Sequence, residues 1–390
     1  MLVSRYLGNA DAKEREDILK ALEGLGADFK GVKEWVAAAA SYTPQQPGLH
    51  RRLVSIGERK GEYFVYVPSS YVPDKSWPAI LALHGVGGSG YGQAMAWLKS
   101  SVHNDDFIFI TPTYGTGLWW EQEAEKFVLS VLNQAKKDYN IDTNRIYLTG
   151  FSSGGHGAWY MALRYPALFA AINPVAGECP IPSLLANLLH VPVYIIHGAR
   201  DTVILVEAAR DASSRLERLN YNVVYKELPE LRHKFPTAEV GEVLNWFRTN
   251  KRPLYPKRVE FSTEYTRYSM AYWIEITAFS GMVGQVYGIP GYVHGRMVRP
   301  EVFPETATIA AEIREGNEIY LTTQGIKALR IYLDDGLIDM ENSVRVYING
   351  RSVYFGKVCR SVRTLLDTVR KKNDRKASFA AHLDLRVPSE

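Results

Sequence analysis

The run Ile146-Tyr147-Leu148-Thr149-Gly150-Phe151-Ser152-Ser153-Gly154-Gly155-His156-Gly157-Ala158-Trp159 decides how this chain is read. Residues 146–149 are apolar, aromatic or β-branched and read as a strand, and residues 156–164 read as a helix. Between them stands Gly150-Phe151-Ser152-Ser153-Gly154, a serine with a glycine two positions away on either side. A side chain held at the apex of a sharp strand-to-helix turn needs small neighbours, because backbone crowds it from both sides. The N-terminus of the following helix also favours negative charge developing close by. Ser152 is therefore the candidate nucleophile. With glycine and serine each near 7% of residues, the five-residue pattern alone arises by chance in about a tenth of chains this long. Its surroundings have to carry the case.

Those surroundings alternate. Short apolar runs at 79–83, 107–110, 146–148, 169–172, 191–196 and 223–225 are separated by helix candidates. The helix candidates fall at 93–99, 121–139, 156–164, 181–189, 207–219 and 238–249. Continuous apolar strands alternating with helices predict a mostly parallel sheet covered on both faces, an α/β fold. Ahead of it, runs at 53–56 and 63–67 flank Glu58-Arg59-Lys60-Gly61 and read as a hairpin.

The alternation stops at Lys251-Arg252-Pro253-Leu254-Tyr255-Pro256, where two prolines mark a domain boundary. Beyond it come β-type runs at 272–276, 306–313, 319–322, 329–333, 344–348 and 353–358, a helix at 361–372 and a last strand at 378–387. Asn349-Gly350 between two of these runs is a strong hairpin signal. Residues 257–390 are thus expected to form a mainly antiparallel, sandwich-like β domain. At the other end, Asp11 and Glu14 start an amphipathic helix over 11–26, whose Ile18, Leu19, Leu22 and Leu25 share a face. A second helix is expected over 28–40, broken by the prolines that follow. The expected division is a helical segment at 1–48, an α/β domain at 49–250 and a β-rich domain at 257–390.

Bulk properties exclude several classes. The 390 residues suit more than one domain, and 46% hydrophobic with 23% charged content is that of a globular protein. A net charge of +4, with no basic block interleaved with aromatics, argues against a nucleic-acid partner. No apolar stretch reaches 18 residues, so no membrane span or membrane partner is expected. The first residues lack a signal-peptide apolar segment, so a cytoplasmic location is expected as written, with secretion open for a trimmed mature form. Cys179 and Cys359 are too few and too far apart for a disulfide framework. Neither a His-Glu-x-x-His pattern nor a cysteine cluster is present, so no metal or organic cofactor is expected.

Three further motifs stand at strand ends. His84-Gly85-Val86-Gly87-Gly88-Ser89-Gly90 follows the run at 79–83, and such a glycine-rich turn aims main-chain N–H groups at an anion. Val86 and Ser153 are the candidate oxyanion donors, both through N–H. His197-Gly198-Ala199-Arg200-Asp201 follows the run at 191–196, which places Asp201 at the carboxyl end of a strand, with Glu178 as the backup acid. In the order serine, acid, histidine, only His233, His294 and His382 of the nine histidines follow Asp201, and only His233 precedes the proline boundary. His84 and His156 read as structural, the one a hydrogen-bonder of its turn and the other packed behind the serine.

Over residues 60–250 the chain resembles the α/β-hydrolase superfamily. The resemblance is carried by Leu83-His84-Gly85-Val86-Gly87-Gly88-Ser89-Gly90, by Asp142-x-x-Arg145 running into the serine pentapeptide, and by His197-Gly198-x-x-Asp201-Thr202-Val203. The chain is similar to the feruloyl/acetylxylan esterase and polyhydroxybutyrate-depolymerase-like group, and to the catalytic domain of prolyl-oligopeptidase-like peptidases. Leu231-Arg232-His233-Lys234-Phe235-Pro236 departs from the Gly-rich stretch usual before the base. The resemblance implies an α/β-hydrolase fold and a serine carboxylesterase with a Ser152–Asp201–His233 triad, acting on small acyl or carbohydrate/feruloyl-type esters. A prolyl-oligopeptidase-like peptidase is the alternative, and a non-catalytic binding protein on the same scaffold is a third reading. Tyr114, Trp119 and Trp120, after the run at 107–110, are candidates to stack on substrate, and the segment 281–295 with Tyr287 and Tyr292 is a candidate lid. A small-molecule ester is the expected partner, with self-association through the N-terminal helices or the C-terminal domain left open.

Overall fold

A computed structural model describes residues 2–9, 11–57, 59–99, 105–281, 283, 291–293, 296–298 and 305–388. Most of the candidate lid, including Tyr287, and also His294, lie outside the described residues. The chain divides into two compact units, Ala40–Pro253 and Met1–Ala39 together with Leu254–Glu390. The N-terminal helices, expected as a segment of their own, thus group with the β-rich residues.

Three helices come first: α1 (Leu2–Gly8), α2 (Ala12–Gly24) and α3 (Phe29–Ala38). Asp11 and Asp28 cap α2 and α3 by accepting from the backbone N–H of Glu14 and Gly31, each at 2.8 Å. Helix α1 had no sequence signal, being a single short stretch without a capping residue.

The Ala40–Pro253 unit contains β1 (Gly48–Ile56), β2 (Arg59–Val67), β3 (Trp77–Leu83), α4 (Gly90–Leu98), β4 (Ile108–Thr113), α5 (Gln122–Asp138), β5 (Ile141–Phe151), α6 (Ser153–Arg164), β6 (Ala171–Val175), β7 (Val193–Gly198), α7 (Val206–Arg218), β8 (Val223–Leu228) and α8 (Val240–Thr249). The helix expected over 181–189 is a 3-10 turn, Pro182–Leu188. The strands form one sheet in the order β1-β2-β4-β3-β5-β6-β7-β8. The β1–β2 and β2–β4 pairs are antiparallel, and β3 to β8 run parallel. This is the arrangement of the α/β-hydrolase fold.

Both faces of the sheet are covered, which explains the unbroken apolar strands. Ala79, Leu81 and Leu83 of β3 share a core with Phe127 and Val131 of α5, Trp159 and Met161 of α6, and Leu216 of α7. Ile80 and Ala82, pointing the other way, share a core with Trp97 of α4 and with Val243, Leu244 and Phe247 of α8. Every residue of β3 is buried, so alternation of side-chain direction leaves no polar position.

The second unit carries β9 (Arg258–Thr263), β10 (Met270–Ala271), β11 (Ile274–Phe279), β12 (Gly291–Val293), β13 (Arg296–Val298), β14 (Ala307–Arg314), β15 (Glu318–Gln324), β16 (Ile326–Leu333), β17 (Val344–Ile348), β18 (Arg351–Gly356), α9 (Val362–Lys372) and β19 (Ala381–Arg386). Two main sheets have the orders β18-β17-β15-β14-β9 and β10-β11-β16-β19, antiparallel except for β15 against β17. The Asn349-Gly350 turn joins β17 to β18 with both residues at positive φ, 50° and 79°. Helix α9 supplies Leu365, Leu366 and Val369 to a core shared with Val3, Tyr6, Ile18, Leu19, Leu22, Val32 and Val36 of the N-terminal helices. The Tyr6 hydroxyl also donates to Asp367 at 2.7 Å. An apolar helix face with no partner nearby in sequence found one more than 300 residues away.

Candidate active site

Ser152 sits between β5 and α6 with φ 57° and ψ −122°, a backbone region that L residues rarely occupy. Glycines make the turn possible. A Cβ on Gly150 would stand 2.1 Å from the Gly154 carbonyl oxygen, and one on Gly154 would stand 2.1 Å from the Leu83 oxygen. The Ser152 N–H donates to the Val175 carbonyl at 2.9 Å, which ties the turn to the end of β6. The helix begins at Ser153 rather than at the expected 156, so its N-terminus abuts Ser152 directly.

Three side chains from three strand ends meet here. His233 Nε2 lies 2.8 Å from Ser152 Oγ, and His233 Nδ1 lies 2.7 Å from Asp201 Oδ2. An ionised carboxylate only accepts, so Nδ1 carries the proton and Nε2 is free to accept from the serine hydroxyl. The other oxygen of Asp201 accepts from the backbone N–H groups of Val203 and Ile204, at 2.9 and 3.0 Å. Burial pushes the Asp201 carboxyl up, but the His233 hydrogen bond and these two N–H donors outweigh it and leave the carboxyl below its ordinary value. The His233 loop is fastened to the end of β7: the Arg200 N–H donates to the Leu231 carbonyl at 3.0 Å. A Cβ on Gly198 would be 2.3 Å from that same carbonyl oxygen, so this glycine permits the approach. The Phe151 ring lies 5.0 Å from the imidazole of His233.

The oxyanion candidates lie on two turns that touch. A Cβ on Gly85 would be 3.3 Å from the Ser152 Cβ, and one on Gly117 would be 3.1 Å from the Val86 Cα. Neither the Val86 nor the Ser153 N–H has a hydrogen-bond acceptor among the described residues. The turn is fixed by His84, which bonds the Gly85 carbonyl through Nδ1 at 2.7 Å and accepts the Tyr114 N–H at Nε2 at 3.1 Å. Burial, opposed by the Gly85 hydrogen bond, holds the His84 imidazole below its ordinary value, which suits a neutral ring with one donor and one acceptor.

The aromatic candidates separate. Trp119 is fully buried and donates its indole N–H to the His84 carbonyl at 2.7 Å, so it braces the glycine turn and offers no face to a substrate. The Tyr114 hydroxyl donates to Glu121 at 2.8 Å, and its ring packs 5.9 Å from Trp119 and 6.2 Å from Phe127. Trp119 is therefore corrected from a substrate-stacking to a structural residue, while Tyr114 is held by these contacts but only partly buried. Trp120, with 38% of its surface exposed, stays a candidate. The backup acid Glu178 does not pair with His233; its nearest imidazole is His156, at 3.9 Å. His382 is bonded to Thr364 in the other unit. The sequence did not single out His197 as a support for the acid. It is fully buried, bonds the Ile204 carbonyl at 2.9 Å and lies 3.5 Å from Asp201 Oδ2. Its place four residues before Asp201 was the available signal. Among the described residues, no group of three or more His, Cys, Asp or Glu is arranged to hold a metal ion, and no helix is long and apolar enough to cross a membrane.

Residues 121–251 match the family model described as phospholipase/carboxylesterase. With the sheet order and the serine turn, this match supports an α/β-hydrolase fold for the Ala40–Pro253 unit. A bifunctional acetylxylan esterase/xylanase of Neocallimastix patriciarum is 32% identical over 145 residues, 36% of this chain and 21% of that protein. Lysophospholipase-like protein 1 of Mus musculus is 25% identical over 207 residues, 44% of this chain and 86% of that protein. Feruloyl esterase B of Neurospora crassa is 34% identical over 135 residues, 28% of this chain and 44% of that protein. The chain thus spans about a fifth of the first of these relatives and less than half of the third. Among solved structures, a thermostable esterase is 25% identical with a TM-score of 0.46, covering 52% of this chain and 63% of that one.

Proposed function

We propose that this protein is a serine hydrolase of carboxylic esters, with Ser152 as nucleophile, His233 as general base and Asp201 as the residue that orients it. The single observation that carries this reading is the hydrogen-bonded chain from Ser152 Oγ through His233 to Asp201, at 2.8 and 2.7 Å. In the cycle, His233 Nε2 takes the hydroxyl proton as Ser152 Oγ attacks the ester carbonyl carbon. Asp201, held by two N–H groups, stabilises the resulting imidazolium. The Val86 and Ser153 N–H groups receive the oxyanion, an effect of order 10²–10³ in rate per donor. His233 then returns the proton to the leaving alcohol, and a water, deprotonated by the same nitrogen, releases the acid from the acyl-enzyme. The names of the relatives support small acyl or carbohydrate/feruloyl-type esters as the substrate class.

The test is hydrolysis of p-nitrophenyl acetate and butyrate together with labelling by a fluorophosphonate probe. The wild type is expected to hydrolyse both and to label once, at Ser152. Full activity in Ser152→Ala, or a wild-type protein that neither labels nor turns over ester, refutes the reading.

A further inference from the structure

The first turn of α6 carries a second polar group beside the serine. His156 Nδ1 lies 3.0 Å from the Ser152 carbonyl oxygen. A carbonyl can only accept, so this nitrogen holds the proton and Nε2 of the neutral ring bears a lone pair. Burial holds the ring below its ordinary value, against the opposing pull of the Ser152 carbonyl and Glu178. Nε2 faces Glu178 Oε2 at 3.9 Å. Two acceptors thus face each other 3.9 Å apart, a spacing that one hydrogen of a donor placed between them can bridge as a three-centre bond.

The backbone is built to bring this pair together. After β6 the chain turns at Ala176, whose φ of 46° is strained for a residue with a side chain. That turn lays residues 175–177 against the start of α6: a Cβ on Gly155 would be 2.6 Å from the Val175 oxygen and 3.0 Å from the Gly177 Cα. Glu178 follows immediately, with 61% of its side chain exposed. The half-exposed Trp120 ring closes one side, 5.8 Å from the His156 ring. An exposed carboxylate, a neutral imidazole acceptor and an aromatic face beside them are the groups that hold a hydroxyl carried on a ring.

We propose that His156, Glu178 and Trp120 form a hydroxyl-binding subsite beside Ser152 that selects esters carrying a free hydroxyl group. The proposal rests on Ser152 being the esterase nucleophile. A substrate hydroxyl points its one hydrogen between Glu178 and the His156 Nε2 lone pair in a three-centre bond, and its carbon framework stacks on Trp120. The hydroxyl has two possible sources, an aromatic acyl group or a sugar alcohol, and the shared chemistry is the donor.

Two matched pairs distinguish the sources in the full-length protein. Methyl ferulate against methyl 3,4-dimethoxycinnamate probes the acyl side, and a methyl xyloside monoacetate against tetrahydropyranyl acetate probes the alcohol side. The wild type is expected to favour the hydroxylated member by about tenfold in kcat/KM in at least one pair, the effect of one hydrogen bond to a charged group. Glu178→Ala and Trp120→Ala are expected to reduce that ratio to within about threefold of unity, a comparison inside each variant that loss of folded protein does not move. Fluorophosphonate labelling separates the two ways of failing. A wild type that does not label sinks the esterase reading itself. A wild type that labels but shows no preference in either pair overturns the subsite, as does a preference that survives in Glu178→Ala.

Discussion

Replacing Trp119 with phenylalanine distinguishes a bracing residue from a substrate platform. The indole is fully buried, donates to the His84 carbonyl at 2.7 Å, and meets the His84 ring edge-on at 4.9 Å. Phenylalanine keeps an aromatic ring but no donor, so a buried carbonyl loses its partner at a cost of about 1–3 kcal/mol. The smaller ring leaves a cavity worth roughly another 1 kcal/mol. The sum, about 2–4 kcal/mol, lowers Tm by roughly 4–16 °C for a unit of this size. His84 directly precedes the turn that carries Val86, so slackening it is expected to lower kcat on every ester to a similar degree, with KM little changed. The assay is thermal denaturation of the purified chain alongside kinetics on p-nitrophenyl acetate and p-nitrophenyl benzoate. A Tm within about 1 °C of wild type, combined with a KM raised only for the benzoate, refutes the bracing role.

Asp201→Asn keeps an oxygen for the Val203 and Ile204 N–H groups but favours the wrong His233 tautomer, so kcat on p-nitrophenyl acetate is expected to fall about 10⁴-fold with little change in Tm. A fall of less than about tenfold in steady-state assays contradicts the proposed role. Gly154→Ala puts a Cβ 2.1 Å from the Leu83 oxygen and is expected to abolish soluble, active protein, whereas Gly92→Ala meets only Ser89 Oγ at 3.5 Å and is expected to be neutral or to gain up to about 1 kcal/mol in a melt. The third concerns pH. Burial raises the Asp201 carboxyl, but the His233 and backbone hydrogen bonds outweigh it and depress the group overall. A depressed carboxyl keeps its charge above its ordinary value and loses it only as pH falls below that value. The acid limb of kcat/KM should therefore show no contribution from Asp201 down to about pH 4, its slope staying near one, and a slope of two there would show Asp201 titrating.

Much of the site was legible from spacing along the chain. The serine turn is a local object: its glycines, its preceding strand and its following helix are neighbours in sequence, and the 2.1 Å approaches at Gly150 and Gly154 explain why the pattern is what it is. Asp201 and His233 were found by chain order and strand ends, because a parallel sheet gathers its carboxyl ends along one edge. The start of α6 was misjudged by three residues, because glycines at 154, 155 and 157 weaken the helical pattern without preventing the helix.

What the sequence by itself supplied is the alternation, the turn and the three candidate polar residues, carried by local periodicity, turn chemistry and chain order. Only the tertiary structure separated Trp119 from Trp120, adjacent residues of one type, the first fully buried and the second 38% exposed. Only it set Glu178 beside His156, since that contact depends on Gly155 and the turn at Ala176 meeting across the sheet edge. And only it joined the N-terminal helices to α9. The physical reason is common to all three: burial and hydrogen-bond partnership belong to pairs of residues distant in sequence, and no local pattern specifies which partner an apolar face or a polar atom will meet.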